Sequence, residues 1–213
     1  IVAAFMQERF KQWFPLRNGE SGVVISLGFI LFANYAAMGI TKVVAVSGFL
    51  SEVKDHYILL VWAVDMVLLI LATGVQSLIV DRFDRIKLMA GVLIIFAALY
   101  AILPLTFFAK SFPPSISYTL IYLLNDQQWR FFPVVFWILV NDIYDPATGR
   151  RVMPVIAIFA FVGTIVGLGI AAVDAQLGFG TVKLLLLNAS IFFAAFIIAQ
   201  THLRKVNLAP PAQ

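Results

Sequence analysis

Four charged side chains, Lys42, Asp65, Asp126 and Arg130, stand inside stretches of sequence that are otherwise apolar. An ion placed in hydrocarbon costs at least about 2.5 to 3.5 kcal/mol, so such groups pair with one another or line a wet cavity. Asp126 and Arg130 are four residues apart, the spacing that puts two side chains on one helical face. Arg130 carries five donors in a planar fork suited to carboxylate or phosphate. Asn125, Gln127 and Gln128 add three amides to the same turn, and amides are also unfavourable against lipid. This set of residues supports two chemistries. One is a binding site for an anionic solute in a cavity between the first, second and fourth helices. The other is a pair of internal ion pairs, Lys42 with Asp65 and Asp126 with Arg130, that fix helix packing and bind nothing. No nucleophile–base arrangement and no phosphate-cradling glycine loop accompanies them. His56 and His202 lie far apart and cysteine is absent. The sequence therefore predicts no enzyme, no cofactor and no metal.

The segments that carry these groups are far more apolar than a soluble domain. Hydrophobic residues make up 62% of the chain and charged ones 12%, which points to the membrane class. About 20 apolar residues cross a bilayer core, and the chain offers six such runs. They cover roughly residues 22–49, 57–80, 88–108, 117–140, 152–173 and 179–200. The fold class is thus all-α, a polytopic membrane protein of six transmembrane helices over 22–200. Residues 1–21 place Phe5, Phe10, Trp13 and Phe14 against Glu8, Arg9, Lys11 and Arg17, the pattern of an amphipathic helix lying in the interface. Residues 201–213 form a tail. Counted from an outer turn near Val53, Lys42 and Asp65 lie at one depth, and Asp126 joins that layer. Pro133 should bend the fourth span. Gly163 and Gly167, with Gly169 nearby, form a face that lets another helix approach closely.

Orientation follows from the basic residues. Ten of them, Arg9, Lys11, Arg17, Arg82, Arg85, Lys87, Arg150, Arg151, Arg204 and Lys205, fall on one side of the six spans. Lys54, Lys110 and Lys183 fall on the other. Both ends are therefore expected in the cytoplasm. The same distribution argues against nucleic acid as a partner despite the net charge of +4, because the basic residues flank apolar runs and form no patch.

Two loops on the basic side carry a resemblance. Asp81, Arg82 and Arg85 match the loop signature of the major facilitator superfamily, with Ser77 and Asp84 where that signature has glycines. Phe136-Trp137, Asn141-Asp142, Asp145, Gly149-Arg150-Arg151, Pro154 and Gly163 to Gly167 resemble its nucleotide-exchange branch, the ATP/ADP translocases and their bacterial relatives. Pro15 to Glu20 is similar to that branch's lead-in to its first helix, while Lys42 is the lone charge late in the first span. The resemblance covers the chain as the N-terminal half of a twelve-helix bundle. It implies a secondary transporter for an organic anion or nucleotide in a bacterial inner membrane; the candidate solute site, Lys42, Asp65, Asp126 and Arg130, rests on the intramembrane charges themselves. Its partners would be the lipid bilayer and a second six-helix half or another membrane subunit. Asp81, Arg82, Arg85, Asp142, Asp145 and Arg150 would form a cytoplasmic charge network. The alternative is a non-transporting scaffold subunit with the same half-fold inside a larger membrane complex. Topology separates these readings from any soluble one. Cysteines placed at Ser51 and Thr148 should label from opposite sides of sealed vesicles, and labelling from one side would overturn the six-span order.

Overall fold

A computed structural model describes residues 20–53, 55–80, 82–109 and 112–205. The interfacial helix expected over 1–21, Asp81 and the tail beyond 205 lie outside the described residues, apart from residues 20 and 21. Among those described, six long helices account for almost everything: α1 Ser21–Glu52, α2 Asp55–Val80, α3 Arg85–Ile102, α4 Pro114–Ile143, α5 Pro146–Leu177 and α6 Thr181–His202. A single turn, Leu105–Phe108, follows α3. Five segments are long and apolar enough to cross a membrane, namely α1, α2, α3 with its extra turn, α5 and α6, as expected of an integral membrane protein. The sixth, α4, has 30 residues, but Asn125 to Arg130 make its centre polar.

Two helices begin ahead of the expected spans because caps, not apolar length, decide where they start. Asp84 accepts hydrogen bonds from the amides of Ile86 and Lys87 at 3.0 Å and starts α3 three residues early. Asp145 does the same for α5, with Pro146 at the first helical position, where its missing N–H is harmless. Gly178, at φ 66°, ends α5 in a left-handed conformation that only glycine adopts freely. The third span, expected unbroken to Phe108, is interrupted at Leu103-Pro104, since proline cannot donate to the helical ladder. In α4, by contrast, the helix continues through Pro133.

The most buried helix is α1, which packs against α5, α4 and α6. Its Leu27, Ile30, Leu31, Ala33, Ala37 and Ile40 have no exposed surface. On the other side, α3 lies on α6 and α4 through rings: Phe96 and Tyr100 stack on Phe192 at 5.5 and 5.8 Å, and Phe96 meets Phe132 of α4 in a tilted pair at 6.5 Å. Peripheral α2 rests on α4 and turns Trp62, Val67, Ile70 and Leu71 outward.

Where α1 meets α5 the two backbones nearly touch. A Cβ on Gly163 would stand 2.6 Å from the carbonyl oxygen of Phe32, and one on Gly167 would collide with the carbonyl of Ala36. From the opposite helix, Gly39 would bring a Cβ to 3.1 Å from the Thr164 carbonyl. Gly169 does not share this contact and faces open space. Glycine-mediated approach is the packing mode of helices that gain little from the hydrophobic effect. Gly167→Val should therefore destabilise the protein by about 1 to 3 kcal/mol or more through overpacking, read as a lowered melting temperature in detergent. Gly169→Val should leave it close to wild type.

Candidate functional site

Residues Asn125 to Arg130 advance about 100° per step around α4, so one and a half turns address several neighbours at once. Arg130 points at both Asp126 and Asp65: its Nη2 lies 2.6 Å from Asp126 Oδ2 and 3.5 Å from Asp65 Oδ2. Gln127 donates to the other oxygen of Asp65 at 3.0 Å. Asp65 is 4% exposed and the Arg130 side chain 33%. The Arg130–Asp126 contact is an ion pair without hydrogen-bond alignment. One guanidinium thus stands between two carboxylates.

Lys42, expected to pair with Asp65, does not. Counting along a helix fixes height and not azimuth. Below the turn that joins them, α2 packs on α4 rather than along α1, and α4 supplies the cation. Lys42 is exposed and has no ion-pair partner among the described residues. It lines a cavity of about 820 Å³ between α1, α4 and α5, together with Tyr35, Asn125, Asp126, Trp129 and Thr164. Trp129 meets Tyr35 edge to face at 6.3 Å. Of the four intramembrane charges, then, Lys42 and Asp126 reach the cavity, while Asp65 and Arg130 are not among its lining residues. Arg130 is also occupied by two acids, so the free cation of the cavity is Lys42.

Sequence reading missed a second polar structure. Asn188 Nδ2 donates to Thr41 Oγ1 at 2.6 Å and to the Ala37 carbonyl at 3.2 Å. Thr41 donates to the Tyr100 hydroxyl at 3.1 Å, and Tyr100 donates to Gln128 Oε1. Gln128 Nε2 in turn donates to Asn34 Oδ1 and to the Asn34 carbonyl, at 2.9 and 3.1 Å. All five side chains are fully buried. The chain runs donor to acceptor through α6, α1, α3, α4 and back to α1. The available signal was one amide in the middle of each of two apolar runs, Asn34 and Asn188, because an amide there needs a partner. Gln76 is a further case: from α2 it donates to the Phe131 carbonyl at 3.3 Å.

At the basic face, Arg85 pairs with Asp142 at 3.0 Å and joins the two loops. Asp145, expected in that network, is spent on capping its own helix instead. Arg82 and Arg150 are exposed. A pair not anticipated, Arg151 to Glu20 at 2.6 and 2.9 Å, ties α5 to the residue before α1. Burial, with the charge of Glu20, pushes the Tyr144 hydroxyl up to about 12. Hydrogen bonds from Thr148 and the Ala147 amide hold the Asp145 carboxyl below its usual range. A depressed folded value means that the cap is fully present above the unfolded carboxylate value of about 3.9 and is lost as pH falls below it.

The charge triad gives a sharp expectation. Arg130→Gln leaves two carboxylates facing each other and should cost about 3 kcal/mol, the low end for a broken buried pair, because Arg130 is one-third exposed. Adding Asp65→Asn should recover most of that loss in thermal unfolding, whereas additive losses would refute the coupling. In the buried chain, Gln128→Leu strands the Tyr100 hydroxyl and Asn34 and should cost about 1 to 2 kcal/mol.

The chain matches no family model, no curated protein and no solved structure.

Proposed function

We propose that this chain is the six-helix N-terminal half of a secondary transporter of the major facilitator type, with both ends cytoplasmic in a bacterial inner membrane. In this reading α4 is the sixth span. Its polar centre is tolerated because Gln127, Gln128 and Arg130 are bonded inside the protein and Asn125, Asp126 and Trp129 face a cavity. The solute is an organic anion, with nucleotides as one class. The observation that carries the reading is the cavity itself: about 820 Å³ between α1, α4 and α5, holding an unpaired lysine. An exposed ammonium at hydrocarbon depth is unfavourable against lipid and useful against an anion. The anion's ligand is accordingly Lys42 rather than Arg130, whose donors are directed at Asp65 and Asp126. Asp65 and Asp126 hold Arg130 in place. The second reading is the scaffold subunit, favoured by this mutual saturation of Asp65, Arg130 and Asp126, as a packing role requires; a partner protein would then fill the cavity.

Binding and uptake in proteoliposomes test the choice. Wild type should bind at least one member of a panel of organic anions and nucleotides. Lys42→Gln should weaken that binding about 10- to 100-fold, the loss of one charge-assisted contact, without lowering the melting temperature. Failure of wild type to bind or move any of them, with a stoichiometric partner subunit present in native membranes, would decide for the scaffold.

A further inference from the structure

We infer that the solute of this cavity is an amino acid with an apolar or aromatic side chain, its carboxylate bound by Lys42 and its ammonium by Asp126. This names the substrate class of the cavity just described and rests on the transport reading. Two observations lead to it. First, the lining carries one cation and one acid, Lys42 on α1 and Asp126 on α4, and they form no ion pair with each other. Asp126 Oδ2 is buried and turned to Arg130 at 2.6 Å. The side chain keeps 25% of its surface all the same, which leaves Oδ1 as the oxygen for the cavity. Second, the charges around the cavity are balanced. Asp65, Asp126 and Arg130 together hold one net negative charge, against one positive charge on Lys42.

That balance decides against a simple anion. A bare carboxylate bound at Lys42 would leave the negative charge of the triad unanswered and place a second one beside it, and like charges repel strongly where water is scarce. A protonated amine on the same solute turns the repulsion into attraction, so that both ends of the ligand meet an opposite charge. An acid without the amine, or an amine without the acid, leaves one of the two protein charges unmatched. The ammonium has three donors, more than Asp126 Oδ1 alone can accept. Asn125, next to Asp126 in the lining, has an Oδ1 without a hydrogen-bond partner, and rotation of that amide supplies a further acceptor. The rest of the lining sets the side chain of the solute. Met38, Val43, Val46 and Leu168 are apolar, and Trp129, 54% exposed, stands edge to face with Tyr35. Such a wall suits an apolar or aromatic group. Lys42 is the one cation among the described lining residues, which matches a single carboxylate better than a multiply charged phosphate.

The probes are phenylalanine, tryptophan and leucine, each beside its des-amino acid and its decarboxylated amine, titrated by calorimetry into the intact protein in detergent. At least one of the three amino acids should bind wild type about 10- to 100-fold more tightly than either of its analogues, since each analogue lacks one charge-assisted contact. Lys42→Gln should remove the advantage over the amine. Asp126→Asn should remove the advantage over the des-amino acid, which should bind this variant as well as wild type or better, because Arg130 is then released from one of its two acids. The crossed pattern separates a binding role from a structural one, and the wild-type comparison stands without the variants. A des-amino acid that binds wild type as tightly as its amino acid overturns the inference and leaves the anion reading intact. So does equal weakening of both ligands by Asp126→Asn in protein that keeps the wild-type melting temperature. Binding of a nucleotide or another amine-free anion, with no binding of the three amino acids, has the same meaning. No binding of any amino acid, nucleotide or organic anion refutes the transport reading and this inference with it.

Discussion

The bundle depends on giving the Gln128 amide its partners. Gln128 is fully buried at the middle of α4, with no surface left for water. An amide in that position must find its hydrogen bonds in protein, and each one missed costs the full desolvation of the group. The structure brings Asn34 from one side and Tyr100 from the other. Tyr100 donates to Gln128 while accepting from Thr41, and Thr41 accepts in turn from Asn188. Every link of this chain fixes one helix against another. Apolar packing alone would let α1, α3, α4 and α6 slide and rotate; the donor-to-acceptor order permits one register. Between helices in hydrocarbon each such bond is modest, averaging about 0.6 kcal/mol, so the chain sets the arrangement more than it sets the stability.

Around that fixed point the other features of α4 take their places. With Gln128 turned inward, Gln127 is directed toward α2, and Asp65 meets it there. Arg130 follows Asp126 by one turn and closes on the same acid from the other side. The polar residues of α2, Asp65 and Gln76, are eleven apart, three turns of one stripe, and both are nearly buried against α4. Peripheral α2 is thus attached by polar contacts along a face where Leu68, Leu69 and Ala72 are half-buried. The α1–α5 contact uses the opposite means, glycines and direct backbone approach, and it brings Thr164 and Leu168 up beside Gly39. One wall of the cavity is therefore made by closeness and the other by hydrogen bonding.

What was legible in the sequence follows the same division. Apolar length located six helices, and Gly163 with Gly167 located the tight contact, because both signals depend on residue type alone. Distance along each helix was legible too, since rise per residue is constant. Azimuth was not. Whether Asp65 meets Lys42 or Arg130 depends on the order of helices around the bundle, which no count along one helix contains. The break at Leu103-Pro104 was visible as a proline and was passed over because the run continues apolar on both sides. Asp145 was assigned to a charge network by its sign, although Asp directly before Pro146 is the pattern of a helix cap. Asn34, Thr41, Tyr100 and Asn188 were individually unremarkable, and their relation appears only when four helices are assembled.

Lys42 is the residue that the rest of the structure does not account for. Asp65, Asp126 and Arg130 answer one another, and the buried amides answer one another, so these could persist in a bundle that binds nothing. A lysine left exposed beside an aromatic pair, on the most buried helix, is not required by that packing. Lys42 lies ten residues, about 15 Å, inside the end of α1. The triad does not neutralise it, because Asp126 is already drawn to Arg130. In the transport reading the acid of a solute answers it, and nothing in the packing of the described residues would have to change for that acid to arrive.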